Sequence, residues 1–174
     1  LITLYLTTLD GQALPVEVPF KAYYRDFIAI EQQLLKSEEA QQYWQRTLDG
    51  STLLVLPSWV QANWKKERTT SSEFQVPIAQ ELSDRLNQLA QKLAVPIKSL
   101  LLAVHLKVLS VLGGQADVLT GLVCNGRLEI PDGERLLGLF LNTLPLRLKL
   151  QQETWVDLIQ RVFAAECEML PYRW

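Results

Sequence analysis

The sequence predicts an α/β fold, because stretches with the spacing of helices alternate with stretches that have the spacing of strands. Residues 79–93 place a set of apolar side chains on one face of a helix: Leu82, Leu86, Leu89, Ala90 and Leu93. Residues 143–150 instead carry leucine at every second position, as a strand with one covered face would. From residue 20 onward the predicted order is helix, helix, strand, helix, helix, strand, strand, helix, which indicates a core built from both kinds of element.

The N-terminal part of the chain is predicted to be mostly helical. Residues 1–9 are apolar enough for either a strand or the end of a helix, and propensity alone favours a strand. Residues 20–36 have apolar side chains on roughly one side at helical spacing. Ser37 is a good N-cap for a second helix, since acidic residues follow it in the first turn. Gly50 ends that helix, because glycine suits a left-handed cap.

A long polar connection follows at residues 57–72, where no apolar periodicity survives. Connections of this length are usually mobile or functional. Residues 74–78 then alternate apolar and polar side chains and predict a short strand. Residues 99–112 predict a helix that is apolar nearly all round and therefore largely buried, and two consecutive glycines end it.

Residues 117–124 begin the most informative stretch of the chain. They are mostly valine, leucine and threonine, which predicts a strand, and Gly121 marks a point where another group approaches the backbone closely. The strand ends in Asn125-Gly126-Arg127, a turn signal because asparagine and glycine both tolerate positive φ.

The last predicted element is a helix at residues 155–169. Thr154 is a plausible N-cap, and Asp157 follows three residues later in the first turn. One face is apolar and carries Trp155, Leu158, Ile159, Val162 and Phe163. Pro171 ends or kinks the helix.

Composition excludes several classes of function. The 174 residues are 48% hydrophobic and 21% charged, which suits a globular core. A net charge of -2 offers no basic surface for nucleic acid. No apolar run approaches the roughly 20 residues that cross a membrane. Two cysteines without CxxC spacing form no disulfide framework, so the cytoplasm is the expected location.

His105 is the only histidine, and this limits the chemistry that the chain can carry. A Ser-His-Asp or Cys-His system would need it as the base, yet it lies within an apolar helix and is interpreted as an ordinary helix histidine. A zinc site needs three or four ligands, which one histidine with the distant Cys124 and Cys167 supplies poorly. We therefore expect neither a metal nor a catalytic triad.

Three motifs in order resemble the condensation domain of nonribosomal peptide synthetases. Residues 125–127 and 137–147, NGR and LGLFLNTLPLR, are similar to that family's SGR element and (I/V)GxF(V/I)NTLPxR block. Residues 24–27, YRDF, resemble its YxDF motif, and the next helix carries Tyr43-Trp44. The resemblance implies a chloramphenicol acetyltransferase-like two-lobe sandwich, incomplete here because the motifs cover the middle of such a domain.

The resemblance also implies a division of the chain. Residues 1–60 would end the N-terminal lobe, with 1–9 as a helix that follows an HHxxxDG active-site loop. Residues 61–73 would connect the lobes, and 74–174 would begin the C-terminal lobe. Because the chain starts at Leu1 inside an apolar run, we expect it to be a piece of a longer protein. The HHxxxDG loop of that protein would lie just before Leu1, so we expect this piece alone to be inactive.

The implied reaction is attack by a carrier-bound aminoacyl amine on an upstream carrier-bound acyl or peptidyl thioester. The partners would be peptidyl and aminoacyl carrier domains and an adenylation domain of the same synthetase. The domain would bind no cofactor directly, because the carriers bring phosphopantetheine. Two alternatives remain open: an epimerisation or heterocyclisation domain of the same fold, and a catalytically silent domain that only docks carrier proteins.

Arg127 is the site residue to which the resemblance gives most weight. In the family, the arginine of the SGR element is implied to form a salt bridge with the aspartate of HHxxxDG. A guanidinium suits this role because its planar fork can grip a carboxylate with two hydrogen bonds. This chain has Asn125 where the family commonly has serine, while Gly126 and Arg127 match. From the residues alone, Arg127 would be a solvated turn arginine.

Four further motif residues are implied to line or support the cleft between the lobes: Gly138, Phe140, Asn142 and Thr143. Asn142 and Thr143 fit equally well as caps of an exposed strand end. Three residues of the YxDF motif are interpreted as bracing a helix against the core: Tyr24, Asp26 and Phe27. Three aromatic residues are interpreted as core: Trp44, Trp155 and Phe163. Helix faces intended for absent strands would leave apolar surface, so we expect this chain alone to associate.

Overall fold

The computed structural model of the chain describes residues 2–13, 19, 21–55, 57 and 73–174. The helices are α1 (Ile2–Leu9), α2 (Tyr24–Leu35), α3 (Glu38–Leu48), α4 (Gln80–Lys92), α5 (Ile97–Gly113) and α6 (Trp155–Met169). The strands are β1 (Asp117–Asn125) and β2 (Leu141–Lys149), with short 3-10 turns at Gly133–Arg135 and Leu170–Tyr172. Residues 2–9 are therefore helical, as the family resemblance implied.

The helix ends follow the predicted capping residues. Ser37 Oγ accepts a hydrogen bond from the Ala40 N–H at 3.3 Å and begins α3. Thr154 Oγ1 accepts from the Asp157 N–H at 3.2 Å and begins α6. Gly50 adopts a φ of +64° after α3, a conformation that a side chain at this position would strain. These local signals predicted helix boundaries well because each depends on neighbours in sequence.

The two strands pair in an antiparallel hairpin. The register runs from Asp117 opposite Lys149 to Asn125 opposite Leu141. On β2 and just beyond it, four leucines are buried, as their alternation predicted: Leu144, Leu146, Leu148 and Leu150. The close approach predicted at Gly121 is also present, because a Cβ there would lie 2.9 Å from Thr143 Cγ2.

The main core lies between the hairpin, α5 and α6. Its buried side chains include Leu100, Ala103, Leu106, Val118, Leu146, Leu158, Ile159 and Val162. Tyr43 and Trp44 of α3 pack against the same cluster, and so does Phe163. Trp44 and Phe163 thus belong to the core as predicted. Trp155 does not: it is the first residue of α6, and its side chain is 53% exposed.

Only one face of α5 is buried, so the prediction of a largely buried helix is wrong. Leu100, Ala103 and Leu106 face the core, while Leu101 and Val104 lie on the exposed face. The physical reason is that α6, β1 and α4 contact α5 from one side, and no other described element covers the opposite side. Among the described residues no single helix meets the length and apolar criteria of a membrane span; α4 and α5 do so only as a pair bent by 106°.

The strand predicted at residues 74–78 does not form. Phe74, Val76 and Ile78 are exposed, and residues 73–79 belong to no helix or strand. Alternation alone cannot make a strand, since the backbone must also find a partner for its hydrogen bonds. The predicted connection between lobes, 61–73, lies outside the described residues except for its last position, so the division into lobes stays a prediction.

A second, smaller cluster sits beside the main core. It consists of Ala22, Phe27, Leu128, Leu136 and Phe140. Ile28, Ile30 and Trp174 pack against it. This cluster joins α2 to the loop between β1 and β2, and that loop carries four of the nine predicted site residues.

Candidate functional site

Arg127 lies at the start of the loop that joins β1 to β2, residues 126–140, which we name the Arg127 loop. The Gly126 N–H donates to the Phe140 carbonyl oxygen at 2.7 Å, which closes the two ends of the loop on each other. The Arg127 N–H donates to Asn125 Oδ1 at 3.0 Å. Asn125 thus makes the side-chain turn that asparagine commonly provides at such positions.

The side chain of Arg127 holds the far part of its own loop. Its Nη1 donates to three carbonyl oxygens, at 3.0 Å to Gly133, 3.3 Å to Glu134 and 2.6 Å to Leu136. The Gly133 and Glu134 carbonyls belong to the 3-10 turn and the Leu136 carbonyl follows it. The residues alone suggested that Arg127 is a solvated turn arginine, and these hydrogen bonds show that this interpretation is wrong.

The guanidinium of Arg127 stacks on the ring of Phe140. The Arg127 Cζ lies 4.3 Å from the centroid of the Phe140 ring, a cation–π distance. Phe140 is only 3% exposed and meets the Phe27 ring edge to face at 5.1 Å between centroids. A cation that rests on a buried ring and grips three carbonyls has a well-defined position.

Arg127 has no carboxylate within ion-pair distance in the part of the chain that the structure describes. It lines a cavity of about 710 Å³, whose walls also include Lys98, Cys124, Glu134 and Arg173. Burial raises the pKa of the Cys124 thiol, which argues against Cys124 as a nucleophile. The cavity walls also carry the carboxylates of Glu129 and Glu134, but neither forms an ion pair with Arg127.

The three YxDF residues lie in the first turn of α2, and two of them, Tyr24 and Phe27, contact the Arg127 loop. The Tyr24 hydroxyl donates to the Leu139 carbonyl oxygen at 3.1 Å. Phe27 is buried in the smaller cluster. Asp26 instead accepts the Tyr23 N–H at 2.8 Å and so closes the first turn of α2. Tyr24 and Phe27 thus connect α2 to the Arg127 loop and the smaller cluster, whereas the Asp26 bond lies within α2 and does not brace the helix against the core.

Two glycines of the motifs sit where a side chain would collide. A Cβ at Gly138 would lie 2.4 Å from Tyr24 Cδ2, and a Cβ at Gly126 would lie 3.0 Å from Phe27 Cε2 and 3.2 Å from the Phe140 carbonyl oxygen. Both glycines let the loop backbone approach α2 closely. A single packed unit therefore forms from five motif residues, in which a side chain at either glycine would collide: Tyr24, Phe27, Gly126, Gly138 and Phe140.

Asn142 and Thr143 lie apart from that unit, exposed near the start of β2. Asn142 Oδ1 accepts the Thr143 N–H at 2.9 Å, and its Nδ2 donates to the Arg173 carbonyl oxygen at 3.4 Å. These contacts fit the strand-end interpretation, while a place at the cleft stays a prediction. His105 is exposed on the outer face of α5.

A second arginine site, which the sequence did not single out, ties the hairpin to α3. Arg147 Nε and Nη2 donate to the two Asp117 carboxylate oxygens at 2.8 and 2.6 Å. Its Nη1 donates to the Thr47 and Asp49 carbonyl oxygens at 3.0 and 2.6 Å. The hydrogen bonds from Arg147 hold the pKa of Asp117 below its usual value. Asp117 and Arg147 are diagonal neighbours across the hairpin, so only a known register could have predicted the pair.

Glu166 was also not identified from the sequence as a residue with a structural role. It is 4% exposed, accepts from Lys98 Nζ at 2.7 Å and accepts a short hydrogen bond from the Ser99 hydroxyl. It joins the C-terminal part of α6 to the start of α5. A usable signal was present, since Glu166 falls between Val162 and Met169 on the apolar stripe of α6, where a carboxylate needs partners.

Comparison with known proteins decides the family. The family model of the condensation domain matches residues 1–173. The AMB antimetabolite synthetase AmbE of Pseudomonas aeruginosa is 35% identical over 174 residues, which is 99% of this chain and 8% of that protein. The chain belongs to the condensation domain family. The resemblance inferred from the three motifs is confirmed.

Other relatives of this condensation domain chain are large synthetases. Bacitracin synthase 3 of Bacillus licheniformis is 29% identical over 181 residues, covering 100% of this chain and 3% of that protein. Malpibaldin synthetase of Mortierella alpina is 29% identical over 153 residues, covering 87% of this chain and 3% of that protein. The chain thus spans a small fraction of each of these curated relatives.

Solved structures confirm the predicted fold class. The first condensation domain of the CDA synthetase matches with a TM-score of 0.69 at 20% identity, covering 97% of this chain and 37% of that one. The X-domain from teicoplanin biosynthesis matches with a TM-score of 0.71 at 20% identity, covering 97% and 39%. At these identities the likeness establishes the chloramphenicol acetyltransferase-like fold, of which the condensation domain chain holds a part.

Proposed function

We propose that this chain is part of a condensation domain that forms an amide bond between two carrier-bound substrates. The amine of an aminoacyl thioester attacks the carbonyl of an upstream acyl or peptidyl thioester. A C–N bond forms, the C–S bond breaks, and the donor's phosphopantetheine leaves as a thiol. Membership of the condensation domain family, with synthetases as relatives, supports this reaction.

The observation that carries the proposal is the state of Arg127. Its Nη1 is engaged by carbonyls of its own loop, while no carboxylate of the described chain pairs with its charge. A half-buried guanidinium is best stabilised by a carboxylate that accepts two parallel hydrogen bonds. We assign that carboxylate to the aspartate of the HHxxxDG loop, so that Arg127 keeps the catalytic loop in shape.

The proposed reaction also implies its partners. The substrates would arrive on phosphopantetheine arms of peptidyl and aminoacyl carrier domains, after activation by an adenylation domain of the same synthetase. The domain itself would need no metal and no bound cofactor, since the thioester supplies the driving force. We expect the reaction in the cytoplasm, where thiols stay reduced.

The lobe assignment belongs to this proposal as well. Residues 1–60 would close the N-terminal lobe, 61–73 would cross to the other lobe, and 74–174 would begin the C-terminal lobe. In this arrangement Gly126, Gly138 and Phe140 support the Arg127 loop at the seam. The general base would come from the HHxxxDG loop, so the residues of this chain would support the reaction rather than perform it.

The test uses the full-length synthetase with its carriers converted to the phosphopantetheine form. ATP and a mixture of the proteinogenic amino acids are added, and mass spectrometry of the carrier peptides detects condensed acyl chains. We expect the wild type to form the amide and Arg127→Ala to slow it by about a hundredfold, because the catalytic loop loses its anchor. Arg85→Ala, which removes an exposed arginine of α4, should match the wild type.

The assay also separates the alternatives. Loaded carriers without a condensed product would overturn the proposal. Exchange of the α-proton in heavy water without amide formation would identify an epimerisation domain. The fold alone does not separate the two, because the epimerization domain from the third module of tyrocidine synthetase B matches with a TM-score of 0.63 at 17% identity, covering 92% of this chain and 37% of that one. Binding of carriers without either reaction would identify a silent docking domain.

A further inference from the structure

We infer that Trp174 is a positioning residue for Arg127, an inference that rests on the proposed function. The Trp174 indole Nε1 donates to the Gly126 carbonyl oxygen at 2.7 Å. Gly126 directly precedes Arg127, so this hydrogen bond acts on the peptide group that the two residues share. No motif singled out Trp174, and 48 residues separate it from Gly126.

Trp174 also forms one wall around the backbone of Gly126. A Cβ at Gly126 would lie 3.3 Å from Trp174 Cδ1, in addition to its contacts with Phe27 and Phe140. The Gly126 N–H is already held by the Phe140 carbonyl. The peptide groups on both sides of Gly126 are thereby hydrogen bonded, one to the end of the Arg127 loop and one to Trp174.

The segment that carries Trp174, residues 170–174, is itself anchored at several points, and we name it the tail. The Tyr172 ring stacks on Tyr43 of α3 at 4.2 Å between centroids, and its hydroxyl donates to Glu39 Oε1 at 3.0 Å. Arg173 Nη2 donates to Glu129 Oε1 in the Arg127 loop at 2.7 Å. The tail therefore links α3 to the loop, and Trp174 has a fixed place from which to hold Gly126.

The consequence concerns the direction of the guanidinium. Arg127 Nη1 holds the far part of the loop, while the peptide group between Gly126 and Arg127 is held on its N–H side by Asn125 Oδ1 and on its carbonyl side by Trp174. Without the indole N–H, the Gly126 carbonyl loses that donor, and the peptide group from which the arginine side chain extends is held on one side only. A misplacement of about 1 Å at a catalytic site can slow a reaction by up to roughly a hundredfold.

The test is Trp174→Phe in the full-length synthetase, since phenylalanine keeps an aromatic wall but has no N–H. Carriers are loaded with ATP and the proteinogenic amino acids, and the single-turnover rate of amide formation is measured. We expect a rate about tenfold below the wild type. Trp155→Phe is the matched control, because Trp155 is largely exposed at the other end of α6, and it should leave the rate unchanged.

Two readouts separate positioning from simple packing. In an Arg127→Ala background, Trp174→Phe should cause no further loss, because the residue through which it acts is gone. Hydrogen exchange should rise at the amides of residues 126–129 in Trp174→Phe, while β1 and β2 stay protected. Losses that multiply in the double variant would show that Trp174 acts independently of Arg127, and the inference would fall.

The outcomes distinguish this inference from the proposed function. If the wild type loads its carriers but forms no amide, the proposed reaction fails, while the exchange data still report whether Trp174 holds the Arg127 loop. If the wild type is active and Trp174→Phe is equally fast with unchanged exchange at residues 126–129, the inference alone is overturned. Raised exchange at these amides with a slower reaction supports it.

Discussion

Arg127 and Arg147 each donate to at least two backbone carbonyl oxygens, and they differ in how their charge is balanced. Arg147 donates to two carbonyl oxygens at the end of α3 and, on its other edge, to both oxygens of Asp117. Arg127 donates to three carbonyl oxygens of its own loop, and no described carboxylate balances it. Arg147 therefore has its carboxylate partner within the chain, whereas Arg127 has no ion-pair partner among the described residues.

The difference shows how to distinguish an arginine that holds the fold from one that serves a site. A guanidinium with a bidentate carboxylate partner has its strongest interaction satisfied. A guanidinium that is fixed by carbonyls and an aromatic ring, but lacks an anion, is preorganised for a partner that arrives from elsewhere. In a condensation domain the expected partner is the catalytic loop.

The largest effect on stability is expected from Arg147→Ala in an intact condensation domain that contains this chain. The change leaves the Asp117 carboxylate and the Thr47 and Asp49 carbonyls without their donors. We expect Tm to fall by about 5 °C or more, and by less in Arg127→Ala. Differential scanning calorimetry measures both; an equal fall in the two variants would remove the distinction between the arginines.

A pH dependence should sharpen the same contrast. Hydrogen bonds from Arg147 hold the pKa of Asp117 below its usual value, so this carboxylate stabilises the fold fully above its unfolded pKa of about 3.9. The contribution is lost as pH falls through the lower, folded pKa. The Tm difference between wild type and Asp117→Asn should therefore be constant near neutrality and shrink below about pH 4. A difference that persists in acid would contradict the assigned cause.

The smallest effect is expected at an arginine that has neither role. Arg85 pairs with Glu81 one helical turn away on α4, and both side chains are mostly exposed. Such surface pairs contribute little, so Arg85→Ala should change the free energy of unfolding by no more than about 0.5 kcal/mol. Urea denaturation of the intact domain measures this. A larger loss would mean that exposure is a poor guide to the role of these arginines.

The two faces of α5 extend the comparison from charges to apolar surface. The inner face belongs to the core, while Leu101, Val104 and Val108 are exposed on the outer face. Phe74 and Val76, in the segment that forms no strand, are exposed as well. The chain covers 37% of the CDA synthetase domain to which its fold is similar, so much of such a domain lies beyond it. The expectation that this chain alone would associate stays a prediction, and the exposed apolar residues support it.

Much of the candidate site could be predicted from the residues. The motifs identified Tyr24, Phe27, Gly126, Arg127 and Phe140 one by one, and the structure packs them into one unit. The reason is that residues 125–140 are close in sequence and only one further segment, α2, must meet them. Contacts that depend on register or on distant elements escaped prediction. Asp117 with Arg147 and Gly126 with Trp174 are two examples.

The sequence by itself determined the family, the order of helices and strands apart from the strand predicted at 74–78, the caps at Ser37 and Thr154, and the buried alternation of β2. These features depend on neighbouring residues, which act over a few positions of the chain. Only the tertiary structure decided which face of α5 is covered, that residues 74–78 remain unpaired, and that Arg127 rests on a ring rather than in solvent. Burial and charge pairing are set by elements far apart in sequence, and their contacts exist only once the chain has folded.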